Sequence, residues 1–401
     1  MQNKLYLGIL TSLLVVGCGN KETDDTGATD TGETDTEETD TEDTEETDTE
    51  DTEETDTEDT EETDTEDTDT EAVLDIIGSW EDNWGSMHEV TDATWDNGYA
   101  LFSITSFDND AGWLIAQNDS SNLYNPDLWS KFEWAYDADG ELYYCQSTYD
   151  AADEQAAMDA EGADAADLDA GCSGFSWSKL RSPLGFTGDY DDSWGSFHAV
   201  NAWTWNMDDS VFHVSTYEDG WLVAQNDSSN LYSPDLWSKF EWGYDADGAA
   251  YYCQSTYDAA DEQAAIDAEG ADAADLGAGC NGFSWTALRT SLSIRGAYTD
   301  NWGSSHTADA WAWNMDDSVF HISQYDNWSG WAIAQNDSSN LYSPDLWSKF
   351  EWTYDADSIL YYCQSTYDAA DEQAAMDAEG ADAADLDAGC NGFSWSILTA
   401  E

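Results

Sequence analysis

The sequence predicts a mainly β protein of three tandem small antiparallel β-barrel or β-sandwich domains, each with one helical excursion closed by a disulfide. Three observations carry this. The block QNDSSNLY-x-PDLWSKFEW-x-YDAD begins at Gln117, Gln225 and Gln335, so one unit recurs at periods of 108 and 110 residues. Inside the unit, aromatic residues alternate in short runs, the period of a half-buried strand. Six of the seven cysteines fall into three pairs, each 27 positions apart.

A period of this length is domain-sized, long enough for one unit to bury its own core. The units are assigned to residues 75–181, 183–290 and 292–401, as beads joined near Arg181-Ser182-Pro183 and Arg289-Thr290-Ser291. In the first unit the candidate strands are residues 77–80, 89–95, 100–107 and 113–117. Lys131-Phe132-Glu133-Trp134-Ala135-Tyr136 places three aromatics on alternate positions. Asp137-Ala138-Asp139-Gly140 supplies a turn, and residues 141–146 return as the partner strand. The pattern then becomes helical over residues 150–157, with Asp150 as N-cap, acids in the first turn and Gly162 as terminator. Gly174-Phe175-Ser176-Trp177 reads as a closing strand, which makes six or seven strands per unit. Gly78-x-Trp80, Gly188-x-Tyr190 and Gly296-x-Tyr298 resemble the first strand of lipocalin-like barrels.

An even cysteine count in an exported chain reads as disulfides, and the equal spacing selects one bridge inside each repeat. The pairs are Cys145–Cys172, Cys253–Cys280 and Cys363–Cys390. Zinc would call for CxxC spacing or clustered histidines, and neither accompanies them.

The seventh cysteine belongs to the N-terminus. Lys4 precedes an apolar run, Leu5 to Val16, that is too short to span a bilayer and has the layout of a signal peptide. Val15-Val16-Gly17-Cys18 resembles the bacterial lipobox. That resemblance implies cleavage of residues 1–17, acylation at Cys18 with palmitate-class chains, and attachment to the membrane through the lipid anchor alone. Gly19 in place of Asp, by resemblance to enterobacterial lipoproteins, implies the outer membrane or cell surface. Residues 18–72 are expected to form a disordered acidic tether, almost wholly Thr, Asp and Glu from Thr23 to Thr70 and too poor in apolar residues to build a core. Fifty such residues reach about 170 Å when fully extended.

The chain has 88 acids against 9 bases; residues 72–401 alone hold 60 acids and 7 bases, a net of −53. Counterion release cannot favour nucleic acid binding to such a surface. Anionic lipid headgroups are excluded on the same ground. Ca²⁺, neutral glycans and basic proteins remain as candidate ligands, and a flexible acidic tether holds Ca²⁺ only weakly. No other cofactor is indicated.

The C-terminal half of the unit is nearly identical in all three copies, so retention there says little. Against the drifting N-terminal half one string persists: Asp82-Asn83-Trp84-Gly85-Ser86-x-His88, with Asp192, Trp194 and His198, then Asp300, Trp302 and His306, in the later copies. Such residues suit a bulged turn whose histidine is satisfied internally, or a sugar platform. A second histidine, His213 and His321, is Ser103 in the first copy. The three units hold seven, seven and eight tryptophans, more than a small core needs. Trp113, Trp129, Trp134 and Trp177 are expected in the core, Trp84 and Trp95 at the surface. Beside them stand Asn118-Asp119, Asn226-Asp227 and Asn336-Asp337, suited to sugar hydroxyls or Ca²⁺, or to an Asx-turn.

As a whole, the pattern DxWGSxH…IAQND…LWSKFEW…YYCQ…GCxGFSW resembles a repeat of exported proteins from myxobacteria-like organisms. The resemblance covers nearly all of each unit. It implies export and domain limits and brings no catalytic role. The favoured expectation is three tandem binding modules for a glycan, a cell-wall polysaccharide or a surface partner. The alternative is a passive acidic spacer. A secreted hydrolase using Asp82, Ser86 and His88 is disfavoured, because a triad converges from separate elements.

Overall fold

The computed structural model describes residues 73–401. The signal-peptide, lipidation and tether assignments therefore lie outside the described residues. Alternating aromatics become strands, and each strand pairs with the one that follows it. The first unit runs β1 (Gly78–Asp82), β2 (Met87–Val90), β3 (Thr94–Asp96), β4 (Leu101–Asp108), β5 (Trp113–Asn118), β6 (Trp129–Tyr136), β7 (Leu142–Ala151), α1 (Glu154–Met158) and β8 (Ser178–Arg181). β8 pairs back onto β1 through Glu81↔Arg181 and Asp82↔Leu180, which closes the barrel. The second unit repeats this order from β9 (Gly188–Asp192) to β16 (Thr286–Thr290), and the third from β17 (Gly296–Asp300) to β24 (Ser396–Ala400). All neighbours are antiparallel and every strand has two partners, so no edge is left open.

Each unit is thus an eight-stranded barrel rather than one of six or seven strands. The expected strand over residues 89–95 is broken by a turn in which Thr91 N donates to Thr94 O, giving β2 and β3. The closing strand starts at Ser178, beyond the expected Gly174–Trp177 stretch. The helix is shorter than expected, because β7 continues to Ala151 and Asp153 takes the cap, accepting from Ala156 N at 2.8 Å.

The core of the first barrel centres on Trp95, fully buried and stacked on Phe132 with ring centroids 4.6 Å apart. Trp95 is therefore a core residue, in contrast to its expected surface position. Its neighbours include Phe102, Leu114, Ala116 and Leu180. The segment entering β1 adds Leu74 and Ile76, and Trp80 Nε1 donates to Ile76 O. Trp205 on Phe240 and Trp313 on Phe350 repeat the stack at 4.6 Å.

The outward residues of β6 hold the excursion against the barrel. Lys131 Nζ reaches Ala160 O, and Glu133 Oε2 accepts from Ala163 N at 2.8 Å. The disulfides pair Cys145–Cys172, Cys253–Cys280 and Cys363–Cys390, with Cα atoms 5.6 to 5.7 Å apart. Glycine precedes the second cysteine for lack of room: a Cβ on Gly171 would lie 2.0 Å from Asp164 O. The barrels are not loosely strung beads, since Arg181 bonds Val214 O and Arg289 bonds Ile322 O across the joints.

Each disulfide closes a loop of 27 positions, which is worth about 3 to 4 kcal/mol in the chain-entropy model. Denaturant titration with and without reductant should show a stability loss of that order, with β-sheet circular dichroism retained below the transition. Equal stability in both conditions would contradict it.

Candidate functional site

The DxWGSxH string folds as the hairpin between the first two strands. Asp82 ends β1, and its Oδ1 accepts from Trp84 N at 2.9 Å and Ser86 N at 2.8 Å, closing the turn. Gly85 takes φ +86°, a conformation that side chains disfavour. Asp82 Oδ2 lies 3.1 Å from His88 Nε2, and His88 Nδ1 accepts from Trp95 Nε1 at 3.0 Å. The indole has only a proton to give, so Nδ1 is the bare nitrogen and Nε2–H donates to the carboxylate. Tyr144 donates to the same carboxylate oxygen at 3.4 Å.

The later barrels repeat this chain. His198 meets Asp192 at 3.3 Å and Trp205 at 3.0 Å; His306 meets Asp300 at 3.3 Å and Trp313 at 3.2 Å. Burial pushes the three carboxyls up, but hydrogen bonds from the histidine and from two turn N–H groups outweigh it and hold each below the usual aspartate range. Burial, together with the adjacent carboxylate, raises the phenols of Tyr144, Tyr252 and Tyr362. Burial also lowers His306, against the pull of Asp300. Both nitrogens of each histidine are committed, which leaves none to take a proton from a serine hydroxyl. The Asp–Ser–His constellation has no free base.

Asp82 and His88 thus face inward, as do Asp192, His198, Asp300 and His306. The tryptophan between them points outward: Trp84, Trp194 and Trp302 are all more than two-thirds exposed. Trp84 Nε1 donates to Ser178 Oγ at 3.2 Å and Trp302 Nε1 to Ser396 Oγ at 3.1 Å, fixing those rings.

Asn118 and Asp119 also divide between interior and surface. Asn118 is buried at the end of β5; it donates to Asn125 O and Tyr149 O and accepts from Ser130 Oγ. Asn226 and Asn336 do the same. Asp119 makes an Asx-turn to Ser121, whose hydroxyl and N–H hold its carboxyl below the usual range. Asp227 and Asp337 add pairs to His213 at 2.8 Å and His321 at 2.9 Å. Asn122 clamps the loop to β4 through both its amide atoms, bonding Leu101 N and O. Asn125 and Asp127 sit at positive φ, and the bond from Asn118 over-determines that conformation.

This pinned loop pushes two apolar side chains into solvent, Leu123 at 80% and Tyr124 at 78% exposure. Leu231 and Tyr232, then Leu341 and Tyr342, stand equally exposed. Tyr149 and Phe175, with Tyr257, Phe283, Tyr367 and Phe393, are also more than half exposed. In the first barrel the Leu-Tyr loop walls a cleft of about 640 Å³ with Tyr99, Phe102, Asn118, Gln146 and Tyr149. The second barrel has a cleft of about 390 Å³ lined by Met207, Phe212, Asn226, Tyr232, Gln254 and Tyr257. In the third, a cleft of about 410 Å³ is lined by Trp302, Met315, Tyr362, Gln364 and Phe393. Gln146, Gln254 and Gln364 are equivalent, so the clefts adjoin at one place on the repeat.

The Leu-Tyr pair and the exposed phenylalanine were not singled out by sequence reasoning. A signal existed in two consecutive apolar residues inside the polar run Asn118 to Asp127, where no strand could bury them. Among the described residues no three His, Cys, Asp or Glu side chains converge as a metal cluster. No protein-family model matches the chain, and no curated protein and no solved structure matches it.

His198→Ala strands a buried carboxylate and a buried indole N–H, at a cost of about 2 to 4 kcal/mol. Because the carboxyls are depressed, their contribution is complete above about pH 4 and disappears as pH falls through the native value. Melting curves across acid pH should show this decline in the native chain and a shallower one in Asp192→Asn. Parallel curves would exclude the carboxylate as its source.

Proposed function

We propose that the chain is an exported lipoprotein, acylated at Cys18, whose three barrels bind a neutral polysaccharide. The observation that carries the binding reading is the same set of apolar side chains held in solvent in every barrel: a tryptophan on the first hairpin, a Leu-Tyr pair on the pinned loop, and a phenylalanine beside the disulfide. Exposed rings rimmed by amides and carboxylates suit sugars, whose C–H faces pack on aromatics while hydroxyls meet Asn, Gln and Asp. In this reading Asp82, His88 and Asn118, with their equivalents, support the site from behind; Trp84, Asp119 and Tyr124 meet the ligand. Three such sites on one chain raise avidity without any new contact.

Export is supported by the Val15-Val16-Gly17-Cys18 lipobox-like string and by three disulfides, which persist in oxidising compartments. The repeat's likeness to exported proteins of myxobacteria-like organisms agrees with it. Residues 18–72 would then hold the barrels off the membrane, facing the cell exterior.

Retention on immobilised polysaccharides and glycan arrays tests binding. Replacing Tyr124, Tyr232 and Tyr342 together with alanine should weaken retention by about tenfold or more while leaving the melting temperature in place. Absence of retention by the native chain on every glycan would return the protein to the spacer reading. The anchor has its own test: metabolic labelling with a fatty-acid analogue should mark the native chain and not Cys18→Ser.

A further inference from the structure

The three barrels differ from one another where they meet. Arg181, at the end of β8, lies over Trp203 with its guanidinium 4.4 Å from the ring centroid and donates to Val214 O at 3.0 Å. At the second joint Arg289 lies 4.1 Å from the Trp311 ring and donates to Ala310 O at 3.1 Å and Ile322 O at 2.7 Å. A planar cation can stack on an indole while its edge bonds carbonyls, a combination open to arginine and not to lysine. Beside each arginine a buried carboxylate crosses the same joint. Glu81 accepts from Ala202 N at 3.2 Å, and Asp191 accepts from Ala310 N at 2.9 Å. From the receiving barrel, Tyr217 and Tyr325 donate to the connecting segment at Ser182 O and Thr290 O.

A repeat therefore has two unlike faces. One offers an acid and an arginine from its first and last strands; the other offers a tryptophan and a tyrosine. The outer faces of the array lack these groups. Where the second and third barrels have Trp203 and Trp311, the first has Ala93, and where they have Tyr217 and Tyr325 it has Phe107. Where the first two have Glu81 and Asp191, the third has Thr299, and where they have Arg181 and Arg289 it has Thr399. All four positions carry these groups on the faces that meet at the two joints and lack them on the other two faces. The whole chain, at a net charge of −79, has three arginines, and all of them are at joints. The third, Arg295, pairs with the buried Asp191 at 2.6 Å.

We infer that these faces form a self-recognition interface: the partner of one repeat is the next copy of the same module, docked head to tail. The first barrel's acceptor face and the third barrel's donor face are silenced by substitution. This stands independently of the ligand that the clefts take.

The test measures distances in the full chain between spin labels at exposed Ser228 and Ser338. The native protein should give one narrow distribution. Arg289→Thr and Trp311→Ala install residues that the outer faces already carry, so the barrels tolerate them, and each should broaden the distribution. The triple variant Asp191→Thr, Arg289→Thr, Trp311→Ala should lose the narrow peak altogether. A second label pair across the joint between the first two barrels should stay narrow throughout, and near-ultraviolet circular dichroism should confirm intact cores. A broad distribution in the native chain, or a narrow one surviving in the triple variant, would overturn the proposal.

Discussion

In each barrel a buried indole N–H, a neutral imidazole and a carboxylate form one hydrogen-bonded chain, and the rest of the repeat is arranged around it. Trp95 fills the centre of its barrel, and an indole placed there must find an acceptor for its proton. His88 supplies one and passes the polarity on to Asp82. Asp82 sits where β1 ends, so its second oxygen is free to close the turn that carries Trp84 outward. Tyr144 adds β7 to the same carboxylate. Four strands and one exposed ring are thus tied to a single internal charge. An apolar core of equal volume would be as stable, but it would not fix the direction in which Trp84 points.

Much of this fold was legible in the sequence, because alternation and cysteine spacing are local signals of period and distance. The eighth strand was hidden by Thr91, whose turn interrupts the stretch from Glu89 to Trp95 without a glycine or proline to mark it. The helix cap moved from Asp150 to Asp153 for a reason that lies in the sheet: Ala151 still pairs with Trp129 across a bulged register. Within the persistent DxWGSxH string, composition could not say which residue faces inward. The answer depended on Trp95, a residue outside the string that was expected at the surface. Leu123 and Tyr124 were illegible for another reason. They lie in the half of the repeat where all residues persist, so comparison of the copies could not single them out, and only their place inside a polar run pointed to exposure.

The extreme acidity and the exposed rings explain each other. A surface with so many apolar side chains in solvent would draw copies of the chain together by those rings. A large like charge on every copy opposes that approach while leaving uncharged ligands unaffected. The carboxylates nearest the apolar loop, Asp119 and its equivalents, are tied by Asx-turns, which keeps them ionised and in place.

The donor and acceptor faces give the three barrels a grammar in which only the two faces outside the joints are special. The first barrel can be followed by any unit that carries the acceptor tryptophan, and the third can be preceded by any unit that carries the acid and arginine. Excision of the middle barrel would bring Glu81 and Arg181 against Trp311 and Tyr325, a joint complete on both sides. Duplication of the middle barrel would be equally well formed. The number of interior units is therefore a quantity that recombination between near-identical repeats can alter without redesigning any surface, and array length becomes a property that selection can adjust in whole modules.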